Sequence, residues 1–211
     1  MNTATAAGFP IAAFVGAFAP PLAASGPGDT NFSYTYLGLD VARTHFDDTV
    51  RIADEAYDEV AGLGIYGSTQ VRRLPLAFFG STLAQTNDGS RTELNLSEAT
   101  LGIAFPFRVA NQVDLVPAIG YGTAEVEACY DGLCAKSDDS GPLLGLGTRM
   151  WLIPDSLEFN LDYQLIDFDH GSESAIGVGV SGWFRERHSV RLAGVVLDDA
   201  NTVRVGYRYS W

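Results

Sequence analysis

Few residues of this chain could carry chemistry, and their spacing decides which chemistry to consider. There are three histidines and two cysteines. Asp167-Phe168-Asp169-His170 sets a histidine beside two carboxylates, and His45 lies close to Asp47 and Asp48. A histidine among carboxylates is one way to activate a water molecule. His188-Ser189 is the adjacent pair from which an activated hydroxyl could be built. An acidic surface places an Asp near a His by chance, so the bland reading of the first two is a solvated loop. Cys129 and Cys134 frame Tyr130-Asp131-Gly132-Leu133. Two thiols cannot complete a tetrahedral zinc site alone. In an exported protein, a close pair around an Asp-Gly turn reads as a disulfide, and the alternative is two free thiols.

The other charged residues of interest are Asp40, Glu98, Asp114, Arg149, Glu158, Asp162, Arg191, Arg204 and Arg208. Each lies in a stretch where polar and apolar positions alternate, so the elements around them explain them. The C-terminal stretch is the clearest. Val203, Val205, Tyr207, Tyr209 and Trp211 share one face of a strand, and Arg204, Gly206, Arg208 and Ser210 share the other. A strand with a greasy, aromatic-tipped outer face and arginines on its inner face suits a transmembrane β-barrel, where lipid takes one face and the lumen the other. A soluble barrel would be turned inside out by comparison.

About ten such segments follow one another from Phe32 onward, each near the length of a tilted membrane strand. Strand one is expected over Phe32 to Ala42, followed by an acidic loop from Arg43 to Asp58. The next strands are expected over Glu59 to Arg72 and Pro75 to Gln85. Phe78-Phe79 leaves the facing of the latter open. Arg73-Leu74, Asn87-Asp88-Gly89, Val109 to Asn111, Ile153 to Ser156 and Arg185 to His188 read as turns. Leu157, Phe159, Leu161, Tyr163 and Leu165 are assigned to lipid; Glu158, Asn160, Asp162 and Gln164 to the lumen. A regular hairpin at Pro154-Asp155 would set Leu152 opposite Leu157, Met150 opposite Phe159, Trp151 opposite Glu158 and Arg149 opposite Asn160. Acidic residues collect at one rim, arginines at the other.

The chain has 211 residues, 18% charged, with a net charge of −13. That acidity argues against nucleic acid as a partner. Phe9 to Ala19 is an apolar run of signal-peptide length, and Leu22-Ala23-Ala24 suits cleavage after Ala24, although no Lys or Arg precedes the run. The expected organisation is a leader over 1–24, a polar tail over 25–31 and one barrel over 32–211.

The spread of these features resembles the small bacterial outer-membrane β-barrels, the opacity-protein and outer-membrane-protein-A type, in a ten-strand variant. Tyr34-Thr35-Tyr36, Gly64-Ile65-Tyr66-Gly67-Ser68, Phe78-Phe79-Gly80-Ser81, Gly145-Leu146-Gly147-Thr148-Arg149, Leu157-Glu158 and the aromatic C-terminus carry the resemblance. The family usually ends in Phe, and Trp211 keeps the aromatic.

The resemblance implies an all-β fold, a closed antiparallel up-and-down transmembrane barrel of about ten strands, or eight if one hairpin is only a loop excursion. It implies an outer-membrane location in a Gram-negative cell, a monomer with periplasmic termini, and contact with lipid and lipopolysaccharide. Tyr207, Tyr209 and Trp211 would be the signal read by the barrel assembly machinery. Divalent cations at the acidic loops are a further expected partner. No cofactor, resident metal or catalytic residue is expected. The nine lumen charges are either an ion-paired filling or the lining of a narrow solute pore. Outer-membrane proteases with carboxylates and a histidine at the rim supply the rival reading, a hydrolase. A surface binding module acting through its loops is the third.

Overall fold

The computed structural model describes residues 30–71, 74–169 and 171–211. The expected leader, residues 25–29 of the expected tail, Arg72 at the expected end of the second strand, Arg73 and His170 lie outside them. The strands are β1 (Tyr36–Ile52), β2 (Glu55–Gln70), β3 (Ala77–Asp88), β4 (Thr92–Ala104), β5 (Phe107–Ala110), β6 (Val113–Tyr130), β7 (Leu133–Ile153), β8 (Leu157–Phe168), β9 (Gly171–Phe184), β10 (His188–Leu197) and β11 (Ala200–Ser210). There is no helix among the described residues.

Every pairing is antiparallel, joining chain neighbours except β4 with β6, and β1 pairs with β11 to close the sheet. β4 and β5 both pair with β6, so they are two pieces of one stave. The break falls at Phe105-Pro106, where proline has no N–H for the ladder. The result is a closed barrel of ten staves, with no hairpin left over as a mere excursion.

Alternation places the belt outside. Leu37, Leu39, Val41, Leu63, Leu101, Ile119, Leu144, Leu161, Val178 and Val205 are all exposed, while their chain neighbours point into the barrel. In water such a surface would be a severe liability; in lipid it is the favoured solvent contact. The Phe78-Phe79 ambiguity resolves with Phe78 outside and Phe79 buried.

Three expectations are corrected. Arg43 to Asp58 is not a loop: β1 and β2 run on to a tight turn at Ala53-Asp54, with Ile52 opposite Glu55. Beyond the membrane belt the polarity inverts. Arg43, His45 and Asp47 keep the outward parity, while Phe46, Ile52, Tyr57 and Val60 pack inside. Residues 111–112, not Val109 to Asn111, make the turn before β6. The hairpin between β7 and β8 keeps the expected register at Met150, Trp151 and Arg149. It then shifts, so that Ile153 rather than Leu152 faces Leu157. Asp155 takes a left-handed φ of 57°, and the turn absorbs one extra residue as a bulge.

Candidate functional site: the filled lumen

Among the described residues, the buried charged side chains converge in the barrel interior. All nine sequence-derived lumen residues are buried there, from Arg149, Glu158 and Asp114 at 0% exposure to Arg204 and Glu98 at 5%. They sit on β1, β4, β6, β7, β8, β10 and β11, each at a position whose chain neighbours face outward. Buried charge persists only when it is paired and hydrogen-bonded.

The pairing is densest around Glu158. Its Oε1 accepts hydrogen bonds from Arg149 Nε at 2.8 Å and Nη2 at 2.5 Å. Its Oε2 accepts from Arg208 Nη2 and from Trp183 Nε1, each at 2.9 Å. Both acceptor oxygens of one carboxylate are thereby shared between two arginines on opposite sides. Arg208 also donates from Nε to Ser189 Oγ at 3.2 Å, and its guanidinium lies 4.5 Å from the Trp183 ring.

Asp162 accepts from Asn160 Nδ2 at 3.0 Å. Arg204 and Glu98 are coupled through their charges. Thr44, Gln85 and Thr202 form a neutral knot above them, with Gln85 Nε2 donating to Thr44 Oγ1 at 3.0 Å. Arg191, Asp40 and Glu98 retain polar atoms with no direct protein hydrogen bond. Such atoms are the ones expected to be bridged by buried water.

One functional element escaped sequence reasoning. Phe32 to Thr35, expected to open strand one, is not strand at all. It turns into the barrel mouth beside the C-terminus and fills it. Asn31 N donates to both Asp114 oxygens at 2.9 Å, Asn31 Nδ2 adds a bond of 2.8 Å, and Tyr34 Oη donates to Oδ2 at 3.2 Å. Phe32 stacks on Trp151 with ring centroids 5.0 Å apart and lies 4.2 Å from the Arg149 guanidinium. Asn31, expected in the polar tail, is bonded to the wall. The only signal in the sequence was an aromatic alternation that a strand would equally produce.

At the opposite end the interior is apolar. Phe46, Leu94, Leu143, Ile166, Phe168 and Leu197 are all buried under the long hairpins. Asp139, expected on a solvated acidic rim, is buried with them. Its Oδ1 accepts from Ser140 N at 2.8 Å and Asp169 N at 3.1 Å.

Among the described residues, the His188-Ser189 pair singled out for catalysis does not assemble; the Asp167–Asp169 candidate rests on His170, which lies outside them. His188 points outward, stacked on Phe184 at 5.5 Å with Nδ1 2.5 Å from Tyr207 Oη. Ser189, next to it, points inward to Arg208. Alternation along a strand separates the pair onto opposite faces. His45 is exposed on the outer wall, and Asp47 accepts from Asn201 Nδ2 at 3.1 Å.

Cys129 and Cys134 form a disulfide across the β6–β7 hairpin, as expected. Glu127 lies beside both sulfurs, but sulfurs bonded to each other offer no thiolate to a metal. Tyr207 and Trp211 are exposed on the outer wall with Tyr209 half-buried between them, and Tyr209 stacks on Trp211 at 5.8 Å.

Among known proteins, no curated sequence matches the chain. Solved structures of similar shape include Ail, the attachment invasion locus protein of Yersinia pestis, at 11% identity and TM-score 0.44, covering 83% of this chain and 99% of that one. Neisserial surface protein A is similar at 10% identity and TM-score 0.44, covering 85% and 98%. The transport unit of the autotransporter AIDA-I from Escherichia coli is similar at 11% identity and TM-score 0.48, covering 84% and 90%. The model of the outer membrane protein β-barrel domain matches residues 9–184. That match spans most of the ten-stave wall, with its lipid-facing belt and charged filling, and the chain belongs to the outer-membrane β-barrel domain family.

Proposed function

We propose that this protein is a non-enzymatic, closed structural barrel of the outer membrane, with both termini on the periplasmic side and its long acidic hairpins outside the cell. The observation that carries the reading is the filling of the interior from end to end. The Phe32–Thr35 strap and Trp151 occupy one mouth, the Glu158 network the middle, and the Phe46–Leu143–Phe168 layer the other mouth. Arginine suits this role, because its fork shares carboxylate oxygens and keeps its charge in a low-dielectric interior. A ten-stave barrel leaves room for side chains rather than for a wide channel.

The orientation follows from the same plan. Arg108 on β5 and the short turn carrying Arg185 and Arg187 share an end with both termini, and the hairpin tips with Asp54, Asp88, Asp131 and Asp198 share the other. Carboxylates at that outer rim suit divalent cations bridging to lipopolysaccharide phosphates. Tyr207, Tyr209 and Trp211 are the segment the assembly machinery would read. Planar-bilayer recording of the purified barrel tests the closed reading. Electrical silence is expected, and a steady unitary conductance would replace the scaffold with a pore.

A further inference from the structure

β7 rises well above its neighbour β8 and leaves one edge bare, while β6 on its other side is covered by β4 up to Thr92 opposite Tyr130. β7 pairs with β6 along its whole upper length, from Leu133 opposite Tyr130 downward. Its pairing with β8 begins only at Leu143 opposite Ile166. Residues 133–138 are exposed on both faces, and among the described residues no strand lies on their second edge.

The pairing pattern says which groups that edge presents. Cys129 and Cys134 face each other with Cα atoms 4.0 Å apart, the close spacing of a non-hydrogen-bonded pair. Cys134, and by alternation Lys136 and Asp138, therefore aim their N–H and C=O groups away from β6. A bare row of this kind is a template for another strand, and proteins usually blunt or cover it. Here it is stiffened instead. The disulfide clips the top of β7 to β6, itself paired to β4 at Glu93, so the one strand with a bare edge is held to the sheet. A pre-ordered edge loses less freedom when it pairs.

The two faces flanking the edge differ. The outer face carries Glu93, Glu125, Glu127 and Asp138, and its one lysine, Lys136, is already engaged by Glu125 at 2.5 Å. Arg91, on the neighbouring tip, is likewise taken by Asp131. The inner face presents Leu133, 79% exposed, and Ala135. We propose that the Leu133–Asp138 edge is a docking site for an extended segment of another protein that alternates basic and apolar residues. Its backbone would extend the sheet, its basic side chains would lie over the glutamates, and its apolar ones over Leu133 and Ala135. A second copy of this chain fits less well, since its edge brings the same carboxylates.

The test uses the full barrel in detergent micelles and a short capped peptide alternating Lys and Val. Its control is the same peptide N-methylated along one edge, with identical charge and composition but unable to pair. Binding is read by fluorescence anisotropy, and the pairing itself by hydrogen-exchange protection of the Cys134, Lys136 and Asp138 amides. Lys136→Pro removes one edge donor and Lys136→Thr removes only the charge; both are checked for heat-modifiable gel mobility. The proposal expects the plain peptide to bind and to protect those amides. It expects methylation or Lys136→Pro to weaken binding by about tenfold or more, and Lys136→Thr to leave it intact. Equal binding of both peptides would mean charge attraction alone and would overturn it. So would equal binding by the two variants, or edge-mediated dimerisation with no peptide bound.

Discussion

Arg149 and Glu158 face each other inside the barrel with neither side chain exposed, Arg149 Nη2 lying 2.5 Å from Glu158 Oε1. They are not cross-strand partners, since Arg149 pairs with Asn160 and Glu158 with Trp151. The contact is diagonal, and it leaves the second Glu158 oxygen free to take Arg208 from β11 and Trp183 from β9. One carboxylate therefore ties together β7, β8, β9 and β11 across the lumen.

Truncating that carboxylate should be severe. Glu158→Ala leaves two buried guanidiniums without their shared acceptor, and breaking a buried pair costs about 3–5 kcal/mol. The urea midpoint for folding into lipid vesicles should fall accordingly. Replacing Glu158, Arg149 and Arg208 together with apolar residues of similar volume should cost less than Glu158→Ala, because no orphan charge remains. A triple variant weaker than the single one would show that the network contributes net stability rather than only avoiding a penalty.

Facing gives a second prediction. Leu161 is 44% exposed on the lipid side and Asp162 is 2% exposed in the lumen. An arginine at mid-bilayer costs about 2–4 kcal/mol in a barrel. Leu161→Arg should therefore lower the urea midpoint far more than Asp162→Asn, which keeps the shape and a partner for Asn160. The opposite ranking would mean that β8 is turned over.

That facing was legible because period-two alternation is unbroken from Leu157 to Leu165 and both faces are chemically distinct. Where one rule covers both faces, sequence reading works. It missed the strap because Phe32, Tyr34 and Tyr36 alternate as a strand would; the groups that hold Thr30, Asn31 and Tyr34 in the mouth, Asp114 with Ala110 O and Arg108, lie far along the chain. It misread Arg43 to Asp58 as a loop because the lipid-out rule fails above the membrane. There the wall follows the soluble pattern, with Phe46 and Tyr57 inside and Arg43 and Asp47 outside. The Arg149–Glu158 diagonal was legible from register, whereas the arrival of Arg208 and Trp183 depended on closure of the whole barrel.

The strap should be separable from the wall. Asp114→Ala removes the acceptor of four hydrogen bonds that hold Asn31 and Tyr34. Hydrogen exchange over residues 31–35 should rise while heat-modifiable mobility stays that of a folded barrel. Conductance should stay absent, since the Leu143–Phe168 layer seals the far end. Channel activity in Asp114→Ala would place the strap as the sole seal.

The disulfide should act locally. Its small ring restricts the unfolded chain by about 2 kcal/mol on the chain-entropy account, but only for a hairpin tip beyond the belt. The double replacement of Cys129 and Cys134 by serine should leave the urea midpoint of the barrel nearly unchanged and expose the 127–136 tip to protease. A collapse in barrel folding would show that the hairpin nucleates closure.

A last prediction concerns acid. Glu55, at the tip of the β1–β2 hairpin, clasps the neighbouring β3–β4 tip. It accepts from the Thr92 hydroxyl, from Ser90 N at 3.0 Å and from Arg91 N at 3.3 Å, and Tyr57 Oη reaches it at 3.4 Å. Hydrogen bonds to the charged form, that of Thr92 foremost and then the Ser90 and Arg91 amides, hold the carboxyl below the ordinary glutamate range. A depressed folded value means that the clasp is complete above the unfolded value and is lost as pH falls through the folded one. Acidification from neutral should leave the barrel closed while exchange of the Ser90 and Arg91 amides accelerates. Glu55→Gln should show that faster exchange at neutral pH and lose most of its dependence on acid. If the two amides exchange at the same rate in wild type across that range, after correction for intrinsic chemistry, the tips are held by the Tyr57–Thr92 contact instead, and Tyr57→Phe becomes the variant that parts them.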